Sequence, residues 1–234
     1  MSDQNKPLQV SPSIVVQLVI VLLLFPLLPI LITWRWNWWQ AWVYYALLVL
    51  AFILSRYLAQ QRHPDILQER ASSMEHKDTQ AWDKLLSPLT AFSSVFIVLV
   101  AGLDRRFNWS GDFSLLMNWI GIFLIIGGYV LASYALITNR FFSGTVRLQE
   151  DRGHHPVSDG PYRWMRHPGY SGSLLTFLGT PLLLGSAWAY LMVVIALVIL
   201  ITRTRLEDQF LQENLAGYKE YAQRVRFRLL PGIW

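Results

Sequence analysis

The stretch Tyr170–Thr202, YSGSLLTFLGTPLLLGSAWAYLMVVIALVILIT, decides the fold, because it runs for 33 residues without a charge. As one helix it would be about 50 Å long, against a bilayer hydrocarbon core of about 30 Å. It must be broken, and Gly179, Pro181, Gly185 and Ser186 put the break near its middle. The expectation is a helical hairpin with a short first arm and a longer second arm starting near Trp188.

The residues leading into this run are of a different kind. Between Gly160 and Gly172 stand Arg163, Arg166 and His167, the aromatics Tyr162, Trp164 and Tyr170, two prolines and three glycines. Pro168 pushes His167 away from helical geometry and itself suits a first helical position, so the segment reads as a fixed turn feeding a helix. A helix start flanked by arginines attracts a carboxylate or phosphate. A juxtamembrane basic anchor with interfacial aromatics would have much the same composition.

Composition agrees with a membrane chain: 53% hydrophobic residues, 15% charged and a positive mean hydropathy of 0.33. Cysteine is absent, which excludes disulfides, thiolate metal sites and a thiol nucleophile. The net charge of +5 does not argue for nucleic acid, since the arginines cluster beside apolar runs, where topology and anionic lipid explain them.

Four further apolar runs precede the hairpin. Residues 1–12 are polar and are expected to be poorly ordered. Ile14–Thr33 is long enough to span and reads as a retained helix rather than a secretory leader, kinked by Pro26 and Pro29. Trp34, Trp36, Trp38, Trp39 and Trp42 read as an interfacial belt before a second span reaching about Leu58. Leu85–Leu103 and Leu115–Thr138 complete the set, with Gly121, Gly127, Gly128 and Ala132 as packing positions in the latter. Residues 59–84 read as a solvated mixed-charge connection. Of the 20 lysines and arginines, 17 fall on the side holding both termini and only Arg35, Arg105 and Arg106 on the other. That asymmetry places the termini, the 139–169 loop and the tail in the cytoplasm. The fold class is therefore an all-α integral membrane protein of about six transmembrane helices, including the C-terminal hairpin, followed by an amphipathic cytoplasmic helix. It divides into N-terminal helices and their connecting loop over 1–104 and a core over 105–234.

The tail from Arg203 onward has helical periodicity. Leu206, Phe210, Leu211, Tyr218 and Tyr221 project to one side, Arg205, Asp208, Gln209, Gln212 and Glu213 to the other, with Gly217 a stop signal before the tyrosines. Arg203 and Glu207 fall within the apolar side, four residues apart, so they would face one another or one ligand. The hairpin should bring them to the 160–172 turn and to Asn139–Val157, forming a pocket open to cytosol and lipid. No dinucleotide or phosphate-loop glycine motif, no G-x-S-x-G and no H-E-x-x-H occurs, and no metal site is expected.

Asn139-Arg140-Phe141-Phe142, Gln149, Gly153-His154, Gly160-Pro161-Tyr162-Arg163, Arg166-His167-Pro168-Gly169-Tyr170-Ser171-Gly172, Arg203 to Asp208 and Gly217 to Tyr221 together resemble the isoprenylcysteine carboxyl methyltransferase family. The resemblance covers about residues 117–234. Relatives in the wider superfamily methylate phospholipid headgroups or small thiols, and sterol reductases have a similar C-terminal architecture. The resemblance implies S-adenosyl-L-methionine as cofactor, held by Gln149, His154, His155, Pro156, Val157, Tyr162, His167, Pro168, Gly169, Tyr170 and Glu207. It implies a substrate-facing role for Arg203, with Asn139 beside it, and a catalytic role for the Arg203 and Glu207 pair. The second acidic position is Asp208 here, on the face that projects away from the pocket, and His155-Pro156 replaces a more usual polar and apolar pair.

The chemistry these residues would serve is methyl transfer to a lipophilic small-molecule or lipidated acceptor. Arg166 and the helix start would hold a carboxylate of the cofactor, Glu207 its ammonium or ribose, and Tyr162 or Tyr170 would stack or face its cation. Arg203 would pair with an acceptor carboxylate, which is already ionised at neutral pH and needs no general base. A nicotinamide-dependent reductase of the same architecture and a non-enzymatic scaffold or transporter are the alternatives. Uncharged spans argue against a transport path.

Overall fold

A computed structural model describes residues 19–73 and 76–234. The polar start over 1–12, Lys6 and the first residues of the Ile14–Thr33 run lie outside them. Among the described residues every regular element is helical: α1 Phe25–Thr33, α2 Trp39–Arg62, α3 Ile66–Ala71, α4 Asp83–Phe107, α5 Leu115–Thr138, α6 Pro168–Leu184, α7 Ala189–Asn214 and α8 Tyr218–Arg224. The architecture is an all-α membrane bundle. α2, α4, α5 and α7 are long and apolar enough to cross a bilayer, while the apolar stretch Leu22–Thr33 and the 17-residue α6 are shorter. Of the about six expected spans, four among the described residues are thus long and apolar enough to cross a bilayer.

Local chemistry explains the boundaries. The residues before α1, Ile20–Leu24, form a wider π turn, and Phe25 N–H bonds the Ile20 carbonyl. Pro26 stands at the start of α1, where its missing N–H is tolerated, and α1 continues through Pro29 to Thr33. Ser114 caps α5, its Oγ accepting from Met117 N–H at 3.4 Å. The break in the long apolar run falls at Gly185, whose φ of +70 ends α6 in the left-handed region. Pro168 takes the first position of α6 as expected.

The expected separate amphipathic tail helix is not separate. α7 runs unbroken from Ala189 to Asn214, carrying Arg203 and Glu207 on the same rigid rod as the apolar residues before them. Gly217, at φ +80, then turns the chain into the short α8.

α5 and α6 share the most extensive helix interface. A Cβ added at Gly121 would lie 2.5 Å from Leu183 N, and one at Gly128 would lie 2.5 Å from the Gly172 carbonyl. Only glycine lets these backbones approach so closely. Ala132 packs at the same seam, its Cβ meeting Gly172, but Gly127 faces open space and is no packing position. At the α6 terminus, Asn118 Nδ2 donates to the Leu182 and Leu183 carbonyls at 3.0 and 3.2 Å, satisfying acceptors that the helix end leaves free. Nearby, buried Asp104 accepts from Ser110 Oγ and Ser186 Oγ, both at 2.5 Å, and so ties the α6–α7 connection to α4. Of the five tryptophans after α1, Trp38 is buried in the core and the others are not.

Candidate active site

Residues 59–84 are not a solvated connection. Asp83 is 0% exposed and Glu69 is also buried. The acids of this segment receive the arginines of the 139–152 loop. Arg147 donates to both Glu69 oxygens at 3.2 and 3.0 Å, and to Asp78 and Asp151. Arg140 and Arg152 share Asp65, with contacts of 2.9 and 2.8 Å, which hold that carboxyl down at about 2 against the opposing effect of burial. Backbone contacts close the same seam: Val146 N–H donates to Asp83 Oδ2 at 2.7 Å and Ser87 Oγ to the Gly144 carbonyl at 2.8 Å. The loop is thereby latched over the ends of the helices, and a cavity of about 580 Å³ lies beneath it. That is within the range of small-molecule sites.

The cavity has a polar end and an apolar end. Asn139, Gln149, His154, His155, Pro156, Val157, Tyr162, Arg166, His167, Gly169, Tyr170, Arg203 and Glu207 all line it. Pro168 does not, and acts only as the buried first residue of α6. Leu48, Phe52, Tyr129 and Phe177 continue the lining between the helices.

Glu207 is the single acid among the lining residues. Its Oε2 accepts the Tyr170 hydroxyl at 2.5 Å, and its Oε1 lies 3.9 Å from His167 Nδ1. The His167 and Tyr170 rings stack at 5.8 Å with 11° between planes. No arginine pairs with Glu207 among the described residues, so its negative charge is left facing the cavity.

Several expected ligand contacts are instead internal. Arg166 directs Nε and Nη2 to Asp208 at 2.6 and 2.9 Å and Nη1 to the Val225 and Arg226 carbonyls at 2.6 and 3.0 Å. It is a brace between the turn, α7 and the tail, and its donors are not left for a cofactor carboxylate. Asp208 does not project away into solvent. At 0% exposure it accepts from Arg166, Arg228, Tyr218 and Gln212 and lies 3.3 Å from His167 Nε2. The helical projection failed because the side opposite the pocket is covered by Tyr218 and the irregular tail segment 225–229. Main-chain bonds from Arg166 and His167 to Phe227 and Arg228 hold that segment in place.

Arg203 lines the cavity and pairs with Asp83, not with Glu207. Its Nε and Nη2 meet the two Asp83 oxygens at 2.7 and 3.1 Å, Nη2 also meets the Gly144 carbonyl at 2.8 Å, and the guanidinium lies 5.4 Å over the Tyr170 ring. It positions Tyr170 and the loop.

Gln149 is likewise occupied. Its Nε2 donates to the Phe141 carbonyl at 2.8 Å and its Oε1 accepts from Arg152. Asn139 donates to the Tyr162 hydroxyl at 3.2 Å. Burial, then the charges of His155, Arg147 and Arg152, pull the His154 imidazole down to about 4. It is neutral at physiological pH, and its Nδ1 accepts the Gln149 N–H at 3.3 Å, which leaves the proton on Nε2. Sequence reasoning missed Arg56 and Arg70, which also line the cavity. Burial, then the neighbouring charges of Arg56 and Arg203, lower Arg70 to about 9.

A latched loop, a helix start after His167-Pro168 and an open acid on the last long helix are the features to set beside known proteins. Residues 116–217 match the family model described as phospholipid methyltransferase. The match overlaps the segment, about residues 117–234, that carries the motifs. A probable protein-S-isoprenylcysteine O-methyltransferase from Oryza sativa subsp. indica is 30% identical over 112 residues, covering 47% of this chain and 59% of that protein. Protein-S-isoprenylcysteine O-methyltransferase B of Arabidopsis thaliana is 34% identical over 134 residues, covering 55% of this chain and 63% of its own length. The Saccharomyces cerevisiae protein-S-isoprenylcysteine O-methyltransferase is 32% identical over 109 residues, covering 45% and 46%. The matches thus span about three fifths or less of these relatives.

Proposed function

We propose that this protein is an integral membrane methyltransferase that uses S-adenosylmethionine and methylates the carboxylate of an isoprenylcysteine-type acceptor at the cytoplasmic membrane face. The observation that carries the reading is Glu207: one open carboxylate, held by Tyr170 beside the stacked His167 ring, in a cavity that runs from a polar loop to an apolar slot between helices. An acid with no arginine partner among the described residues fits a cationic ligand, and the aromatic faces beside it favour the same charge. The named activity of the relatives agrees with this.

When bound, S-adenosylmethionine supplies a methyl group on a sulfonium, open to in-line displacement. Glu207 and Tyr170 would orient that cation, and neutral His154 offers an N–H donor at the opposite wall. The latched 139–152 loop covers part of the polar end. The acceptor carboxylate would take up that methyl group already ionised, so no residue of the chain would have to move a proton. Positioning supplies the acceleration, and no general base is required.

Thermal unfolding of the detergent-solubilised protein tests the cofactor. S-adenosylmethionine or its demethylated product at 100 times its dissociation constant should stabilise by about 2.7 kcal/mol. Stabilisation by NADPH, with none from either compound, would select the reductase reading instead.

A further inference from the structure

Five arginines line the cavity. Three are neutralised: Arg147 by Glu69, Arg166 by Asp208 and Arg203 by Asp83. Arg56 and Arg70 have no carboxylate within ion-pair distance among the described residues. Arg56 donates to its neighbour Ser55 at 3.2 Å and sits 4.6 Å over the Phe52 ring. Arg70 reaches the Phe142 carbonyl at 3.5 Å and sits 5.2 Å from that ring. Two partly buried guanidiniums facing one cavity without an acid are unfavourable unless an anion joins them.

Their place in the chain says which anion. Both lie outside residues 116–217, the part that carries Glu207, His167 and Tyr170. Leu48, Phe52 and Arg56 follow one another at four-residue spacing on α2, and all three line the cavity. An apolar tail lying along Leu48 and Phe52 ends with its head at Arg56. Resting on the methyltransferase reading, we infer that Arg56 and Arg70 form the acceptor's anion subsite, which holds the carboxylate of a lipophilic acid before methylation. The ester product is uncharged, so the same arginines discriminate substrate from product.

The test is binding and turnover in detergent with the full-length wild type and the Arg56→Gln, Arg70→Gln, Arg56→Lys and Arg70→Lys variants. The probes are N-acetyl-S-prenylcysteine, its methyl ester, a prenyl phosphate and S-adenosylhomocysteine. The wild type should bind the acid about tenfold or more tightly than the ester, and each glutamine variant should erase most of that preference. The lysine variants should retain part of it. S-adenosylhomocysteine affinity should stay within about twofold throughout, which also reports that the variants fold. Unchanged acid affinity in the glutamine variants would overturn the subsite, even with methyl transfer intact. So would loss of S-adenosylhomocysteine affinity with acid binding retained, which would place the donor's own carboxylate there, or a prenyl phosphate binding in preference to the acid. A wild type that binds no S-adenosyl compound would reject the methyltransferase reading, while the acid-against-ester comparison would still decide the subsite.

Discussion

At Asp208 a carboxylate is enclosed with two arginines, a tyrosine and a histidine, so removing its charge leaves Arg166 buried and unpaired. Asp208→Asn should cost about 3–5 kcal/mol in thermal or denaturant unfolding, whereas Glu213→Gln, exposed on the same helix, should be close to neutral. Equal stability of the two variants would contradict the brace. His154 gives a second residue-level expectation. Its folded pKa lies near 4, below the 6.5 of an ordinary imidazole, so the unfolded chain takes up that proton first as pH falls. The stability linked to neutral His154 is full above pH 6.5 and is lost as pH drops from 6.5 towards 4. Imidazole shifts followed by NMR should show one ring neutral at pH 5.5 that is absent from His154→Gln. A normal titration near 6.5 would refute it. The pair Arg203 and Glu207 was legible as a polar intrusion on an apolar face, but its true partners were not. Asp83 stands 120 positions from Arg203, and no periodicity connects them.

Among elements, the α5–α6 seam was legible in part, because small residues at helical spacing signal close packing without saying which of them face the partner. Gly128→Ala would put a Cβ 2.5 Å from the Gly172 carbonyl and should destabilise by about 1–3 kcal/mol through backbone displacement. Gly127→Ala meets nothing within 4 Å and should be neutral or stabilising by up to about 1 kcal/mol, as helix propensity favours alanine. Matched thermal shifts of the two variants decide this, and equal losses would contradict the seam. The break at Gly185 and the helix start at Pro168 were readable because glycine and proline act locally. The fate of residues 59–84 was not, since their buried acids meet arginines far along the chain, Glu69 with Arg147 at 78 positions and Asp83 with Arg203 at 120. The amphipathic tail was misplaced for a related reason: nothing in the sequence between Thr202 and Arg205 stops a helix, and α7 continues through it.

Across the whole molecule, the cavity sits where the C-terminal ends of α2, α5 and α7 meet the N-terminal ends of α4 and α6. Under the proposed topology that end faces the cytoplasm. The chain contains no cysteine, so single introduced thiols report sidedness directly. In intact cells Lys219→Cys should resist a membrane-impermeant maleimide and Asn37→Cys should react, and the reverse pattern would invert the topology. The central claim is the transfer itself. Label from methyl-labelled S-adenosylmethionine should appear on S-prenylcysteine as a base-labile ester that releases methanol, in preference to a phospholipid amine, a small thiol or another isoprenoid acid. A wild-type protein that retains its fold but labels only an amine or a thiol, or labels nothing, would contradict it.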